Sequence, residues 1–193
     1  MKPTPIAVPR RRILAAGLML PLVARAQTSP PPLDVPYVPT PPEVVAKMLE
    51  MAEVRRGDMV YDLGCGDGRI VIAAAREFGA RGVGIDIDPQ RIAEAKANAI
   101  AAGVADRTRF EVGDLFRSDF SDADVVTLYL LPDINLRLRP QLWRQLRIGT
   151  RVVSHEFSMG DWRPAQAAMV DGRSVLRWTI DARIKAMVHR GEG

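Results

Sequence analysis

Two carboxylates frame a run of glycines in the first half of the chain, and that combination can hold a nucleoside. Asp62 stands two residues before Gly64 in the stretch Asp-Leu-Gly-Cys-Gly-Asp-Gly-Arg at 62–69. Gly64, Gly66 and Gly68 occupy alternate positions. Glycines there accept positive φ and let a ligand approach bare backbone. Asp86 closes the next apolar run, and a carboxylate at such a place can accept hydrogen bonds from both hydroxyls of a ribose. The spacing is G-x-G-x-G, not the G-x-G-x-x-G of the dinucleotide fingerprint, which argues against a nicotinamide oxidoreductase. Further along, Tyr129, Asp133 and Glu156 supply a phenol and two acids that could position a cationic amine.

These residues need a scaffold, and the hydrophobic pattern describes one. An apolar strand at 59–63 runs into the glycine loop, and helical periodicity follows at 70–78. Such a loop delivers a ligand to the helix N-terminus. A strand over 81–87 leads to a helix over 90–102, with Asp88 as N-cap and Gly103 as its stop. A third strand, 108–112, ends at Gly113-Asp114-Leu115. The most apolar strand, 124–131, is expected to be central and buried on both faces. A helix over 135–146 and a strand over 151–157 follow. Asp171-Gly172 between strand-like segments 165–170 and 174–180 signals a hairpin. Residues 181–193 read as a last strand fading into a polar tail. Upstream, Thr40 and Glu43 have the spacing of a capping box for a helix that carries Val44, Val45, Met48 and Leu49.

Alternating strands and helices followed by a hairpin give an α/β three-layer sandwich, mostly parallel, with a C-terminal antiparallel hairpin. In such sheets the ligand crevice lies beyond the C-terminal ends of the strands. That edge receives the glycine loop, Tyr129, Asp133 and Glu156. Structural alternatives stand beside these functional ones. Thr40 is either a cap or part of a lid, and Tyr37 either an anchor or a lid residue. Asp133 can be a helix N-cap, and Asp114 a strand-end turn former. Cys65 reads as a small packing residue, and His155 as a hydrogen-bonded rim residue.

Charge and cysteine content narrow the classes. The formal charge of the 193 residues is +4, but residues 1–26 hold Lys2, Arg10, Arg11, Arg12 and Arg25 and no acid. Of the 27 basic residues, 22 therefore lie beyond that segment, against all 23 acids. The remaining domain offers no general electrostatic case for nucleic acid. With Cys65 the sole cysteine, neither an intrachain disulfide nor a thiolate metal cluster fits. Residues 1–26 have a basic region, an apolar run and an Ala-Arg-Ala end, the form of a twin-arginine-like signal peptide. The run is too short for an ordinary membrane-spanning helix. The segment 27–39 is a proline-rich linker, 40–181 the folded domain, and 182–193 a C-terminal tail.

Asp-x-Gly-x-Gly-x-Gly at 62–68 with Asp86 beyond it resembles the class I S-adenosylmethionine-dependent methyltransferases. Within that superfamily, Tyr-Val-Pro-Thr-Pro at 37–41, the glycine loop, Leu-Tyr-Leu-Leu-Pro at 128–132 and Val-Val-Ser-His-Glu-Phe at 152–157 are similar to bacterial relatives of the protein-lysine methyltransferases that modify a membrane ATP-synthase subunit. The resemblance implies a Rossmann-like sheet with one antiparallel strand near its edge, and S-adenosyl-L-methionine as cofactor. It implies a cofactor site of Tyr37, Thr40, Asp62, Gly64, Cys65, Gly66, Gly68, Asp86, Ile87, Asp114 and Leu115, with Asp114 on the adenine amino group. Tyr129, Asp133 and Glu156 are the candidates beside the transferred methyl. The implied substrate is a protein or small-molecule amine, with no nucleic acid and no stable membrane span. A non-enzymatic, exported adenosyl-binding module is the rival. The leader suggests export to the periplasm, whereas a cofactor made in the cytosol favours a cytoplasmic or membrane-associated enzyme.

Overall fold

A computed structural model describes residues 38–191. The leader, most of the linker and Tyr37 lie outside the described residues. A seven-stranded sheet forms in the order β3-β2-β1-β4-β5-β7-β6. Its strands are β1 (Met59–Leu63), β2 (Arg81–Asp86), β3 (Thr108–Val112), β4 (Val125–Leu128), β5 (Arg151–His155), β6 (Gln166–Val170) and β7 (Arg173–Thr179). The pairs among β1 to β5 are parallel, and β7 is antiparallel to both β5 and β6. One antiparallel strand thus lies next to the edge, as the resemblance implies. Asp171 (φ 47°) and Gly172 (φ 78°) make the tight turn that joins β6 to β7.

Helices α1 (Pro42–Met51), α2 (Arg69–Phe78) and α3 (Pro89–Ala101) cover one face. Helices α4 (Pro132–Gln145) and α5 (Ala182–His189) cover the other. The first face buries Val44, Val45, Met48 and Leu49 of α1 and Ile70 and Ala74 of α2 against Val60, Val125 and Val153. The opposite face packs Leu138 and Leu142 of α4 on Leu63, Val126, Leu128 and Val152, with Trp178 fully buried. Side chains alternate along each strand, so Asp62, Thr127 and His155 share the face on which α1 lies. No helix among the described residues is long and apolar enough to cross a membrane.

Four local expectations change. Thr40 does not cap α1: Pro41 is the N-cap residue, no side chain caps the helix, and the Thr40 hydroxyl goes to His155. Two successive prolines fix the helix entry without that cap. The residues after Asp181 form a helix, not a strand, and Asp181 is its N-cap, accepting from the Ile184 amide at 2.9 Å. Ile184, Met187 and Val188, at helical spacing, pack into the core on the α4 side. β4 stops at Leu128 and α4 begins at Pro132 with Leu131 as N-cap, so Asp133 sits in the first helical turn and is not the cap. β5 ends at His155 because Glu156 turns the chain with φ 65°.

Candidate active site

The glycine loop is held from three directions by backbone. The amides of Gly64 and Cys65 both donate to the Ile85 carbonyl, at 2.8 and 3.0 Å, which ties the end of β1 to the end of β2. The Gly68 amide closes the loop on the Cys65 carbonyl at 2.9 Å. Gly68 has φ 79°, and a Cβ there would lie 2.6 Å from the Phe110 ring. Both conformation and space therefore require glycine. The first-turn amide of Arg69 is also engaged, by the Asp67 carboxylate, so part of the expected donor set at the N-terminus of α2 is spent inside the loop. A sulfonium cofactor without phosphates does not need it.

Asp86 organises the far side. Its Oδ2 accepts from the Gly66 amide at 2.8 Å and its Oδ1 from the Asp88 amide at 2.9 Å. Each carboxylate oxygen keeps a further lone pair, so the group is aimed without being used up. Asp62 is 2% exposed, and its Oδ1 accepts from the Thr127 hydroxyl at 2.8 Å. Burial pushes its pKa up to about 7; the Thr127 hydrogen bond opposes this, and the charges of Asp86 and Asp67 add to it. A buried carboxylate poised this way favours a cationic partner. Thr127 was legible in principle, being the polar residue of the apolar strand β4.

A cleft partly open to solvent gathers these groups. Thr40, Asp62, Gly64, Cys65, Gly66, Asp86, Ile87, Asp114, Leu115 and Tyr129 all line it. Gly68, Asp133 and Glu156 are not on its wall. Sequence reasoning missed the wall residues Phe116, Leu130 and Ile134, apolar side chains whose sequence context does not set them apart. It also missed Arg69, whose Nε and Nη2 bond Asp67 while Nη1 donates to the Thr40 carbonyl at 2.9 Å. That bridge joins the segment before α1 to the glycine loop. The Asp114 carboxylate caps its own turn by accepting from the Phe116 amide at 2.9 Å. Burial pushes the Cys65 thiol far up, which keeps it protonated and a packing group.

At the ends of β4 and β5 the cleft meets an aromatic group. Tyr129 packs on His155 with ring centroids 3.9 Å apart, and on Phe157 at 6.3 Å. Beyond it the loop 156–162 is pinned. The buried Asn135 donates to the Phe157 carbonyl at 3.2 Å and to Ser154 Oγ at 3.3 Å. Arg139 donates to the Met159 carbonyl at 2.9 Å and pairs with Asp161. The Trp178 indole donates to the Trp162 carbonyl at 2.7 Å. Glu156 is half-buried at the start of this loop, and Asp133 is exposed on the first turn of α4.

Comparison with known proteins adds to this geometry. A family model described as the ANTKMT methyltransferase domain matches residues 62–166. A protein-lysine N-methyltransferase of Saccharolobus islandicus (strain REY15A) is 50% identical over 138 residues, 71% of this chain and 86% of that protein. The adenine nucleotide translocase lysine N-methyltransferase of Mus musculus is 35% identical over 150 residues, 77% of this chain and 64% of that protein's length. A crystal structure described as an RNA methyltransferase from Salinibacter ruber, in complex with S-adenosyl-L-homocysteine, superposes with a TM-score of 0.74 at 58% identity. That match covers 75% of this chain and 95% of the other.

Proposed function

The chain belongs to the family of the ANTKMT methyltransferase domain, and from that premise we propose that it methylates the side-chain amine of a lysine in another protein. It is an S-adenosyl-L-methionine-dependent methyltransferase. The residues present fit that cofactor. Asp62 is a buried acid that gains from a cationic partner, Asp86 is aimed with lone pairs to spare, and the cleft wall is largely apolar. We infer that Asp62 faces the amino-acid end, Asp86 the ribose, and Asp114 with Leu115 the adenine. When bound, the cofactor supplies a methyl group on a positively charged sulfur, already a good leaving group.

The protein's work is then alignment and exclusion of water. A lysine amine attacks only when neutral. Glu156 and Asp133 attract the ammonium form and, by themselves, hold its proton on. The Tyr129 and Phe157 rings act the other way, because apolar surroundings lower the amine's pKa. Passage of the amine from the acids to the rings therefore favours loss of the proton towards Glu156 or solvent. The Saccharolobus relative supports the lysine substrate, and so does the acidic character of Asp133 and Glu156 near the ends of β4 and β5.

An RNA substrate is the second possibility, raised by the description of the Salinibacter protein. The near-neutral balance of residues 27–193 gives no broad basic surface for a phosphate backbone. A small-molecule amine is the third. The test is to incubate the full-length protein with methyl-labelled cofactor and, in separate reactions, with protein, RNA and small-molecule fractions of a bacterial extract. Label recovered as methyllysine after hydrolysis of the protein fraction is expected. Label confined to RNA or to small molecules overturns the lysine assignment.

A further inference from the structure

His155 is fully buried, yet among the described residues only one of its two ring nitrogens has a partner. Its Nδ1 lies 3.3 Å from the Thr40 hydroxyl. Its Nε2 has no hydrogen-bond partner among the described residues, and the Glu156 Oε1 stands 3.9 Å from it. The ring also rests on Tyr129 at 3.9 Å. A buried polar atom without a partner is costly and calls for an explanation.

The two neutral tautomers are not equivalent here. With the proton on Nδ1, the ring donates to Thr40 and turns a bare Nε2 lone pair towards a carboxylate, which repels it. With the proton on Nε2, the Thr40 hydroxyl donates to Nδ1, and an N–H points at Glu156. Electrostatics therefore selects the second. Burial lowers the basicity of the ring; the charge of Glu156 opposes this, and Arg173 adds to it. The ring is thus neutral near pH 7 and donates through one nitrogen only.

We propose that His155 is a positioning residue for the methyl acceptor, anchored by Thr40, set as its Nε2–H tautomer by the Glu156 charge, and turning that N–H towards Glu156 while backing the Tyr129 ring where the substrate amine must pass. This rests on the lysine-methylation assignment and deepens it. Thr40 and Tyr129 both line the cofactor cleft, so His155 ties the wall of that cleft to the acid just outside it. The side chain is closed off from the cleft, so it acts through Glu156 and Tyr129 rather than on the substrate.

The first test needs no substrate. In the full-length protein, nitrogen NMR of labelled histidine is expected to show His155 as the Nε2–H tautomer, with a shift that moves in Glu156→Gln. A resonance in the Nδ1–H form, or one insensitive to Glu156→Gln, overturns the proposal. The second test is kinetic, on the lysine substrate that carries the label. A Gln side chain can place an N–H near the Nε2 position, whereas Asn reaches only the Nδ1 position. His155→Asn is expected to lower kcat on the order of tenfold to a hundredfold, with cofactor affinity by calorimetry unchanged. His155→Gln should restore most of that loss. The double variant His155→Asn with Glu156→Gln should lose less than the product of the two single effects, because the contact between the two residues is already broken in either one. Equal loss in both His155 variants, or additive loss in the double variant, overturns the proposal. A wild-type protein that methylates no lysine sinks the function assignment instead, and leaves the tautomer result to stand or fall separately.

Discussion

The two ends of the cleft are built on different principles. The proposed cofactor end is made by backbone and by residues close in sequence: the glycine loop, Ile85 and Asp86 hold one another through amide hydrogen bonds. The proposed acceptor end is made by side chains brought from far apart, such as Thr40 and His155 at a separation of 115 residues. Its polar groups are also less complete. His155 Nε2 and Asn135 Oδ1 are both buried without partners among the described residues, and Glu156 holds a left-handed conformation. The contrast separates a region whose shape is settled by its own backbone from one whose shape depends on side chains drawn from distant segments and left partly unsatisfied. Pre-organisation on the cofactor side lowers the cost of binding. Unsatisfied groups on the other side raise the energy of the folded protein behind the proposed acceptor position.

The sharpest way to test the contrast is to remove the shared anchor of the cofactor end. Asp86→Ala deletes the acceptor for two backbone amides as well as the proposed ribose contact. Cofactor affinity, measured by calorimetric titration, should weaken on the order of a hundredfold or more, since a charged hydrogen-bonding group contributes about 1.5–3 kcal/mol for each bond. Affinity retained within a few-fold would mean that the loop does not depend on this carboxylate.

Asp62 tests the same end through pH. Its pKa is about 7 in the folded chain against 3.8 for a free aspartate, so between those values the folded state holds a proton that the unfolded state has released. Stability of the free protein should therefore fall as pH rises from about 4 to about 7 and level off above, by up to about 4 kcal/mol at 1.36 kcal/mol per unit. Asp62→Asn keeps the acceptor for Thr127 and removes the charge. The variant should melt higher than wild type at pH 8, lose that pH slope, and bind cofactor more weakly. For wild type, affinity should rise with pH towards 7, because a cationic ligand favours the ionised acid. Thermal melts at pH 5, 6.5 and 8 with matching titrations check both signs. A flat stability profile in wild type would show that Asp62 is not carrying a raised pKa.

At the acceptor end, Glu156→Ala and Asp133→Ala should leave cofactor affinity nearly intact and slow turnover. Glu156 stands beside the His155 and Tyr129 pair, while Asp133 is exposed on α4, so the Glu156 loss should be the larger, about tenfold or more. Unchanged turnover in both variants would remove these acids from the substrate site. A fall in cofactor affinity equal to the fall in turnover would erase the distinction between the two ends.

The same contrast explains what the sequence disclosed. Strand and helix periodicity, the glycine spacing and the position of Asp86 are local signals, and they located the sheet, its hairpin and the glycine side of the cleft. The Arg69 bridge to Thr40 and the contact of Thr40 with His155 depend on how α1 settles against β5, which no local pattern encodes. Thr40 met the rule for a helix cap yet spends its hydroxyl across the fold, because the two prolines already set the helix entry. Asp181 obeyed the cap rule and was passed over, since the short helix it starts has only Ile184 fully buried. The amphipathic signal there is weak for that reason.

Glu156 supports the subtlest test. Its φ of 65° is one that a residue with a Cβ adopts at a cost of roughly 1–2 kcal/mol and that glycine adopts freely. Glycine at 156 and alanine at 156 remove the same carboxylate, so they should lose turnover to the same degree. They should differ in stability: Glu156→Gly relieves the strain and should unfold at a denaturant concentration equal to or above that of wild type, while Glu156→Ala keeps the strain and should not. The unfolded chain of the glycine variant is more flexible, which offsets part of the gain, so the difference between the two variants is expected to be about 1 kcal/mol. Chemical denaturation of wild type and both variants measures it. If glycine gives no stability advantage over alanine, the turn at the end of β5 is unstrained. The acceptor end would then hold its carboxylate without the stored conformational energy that distinguishes it from the glycine loop.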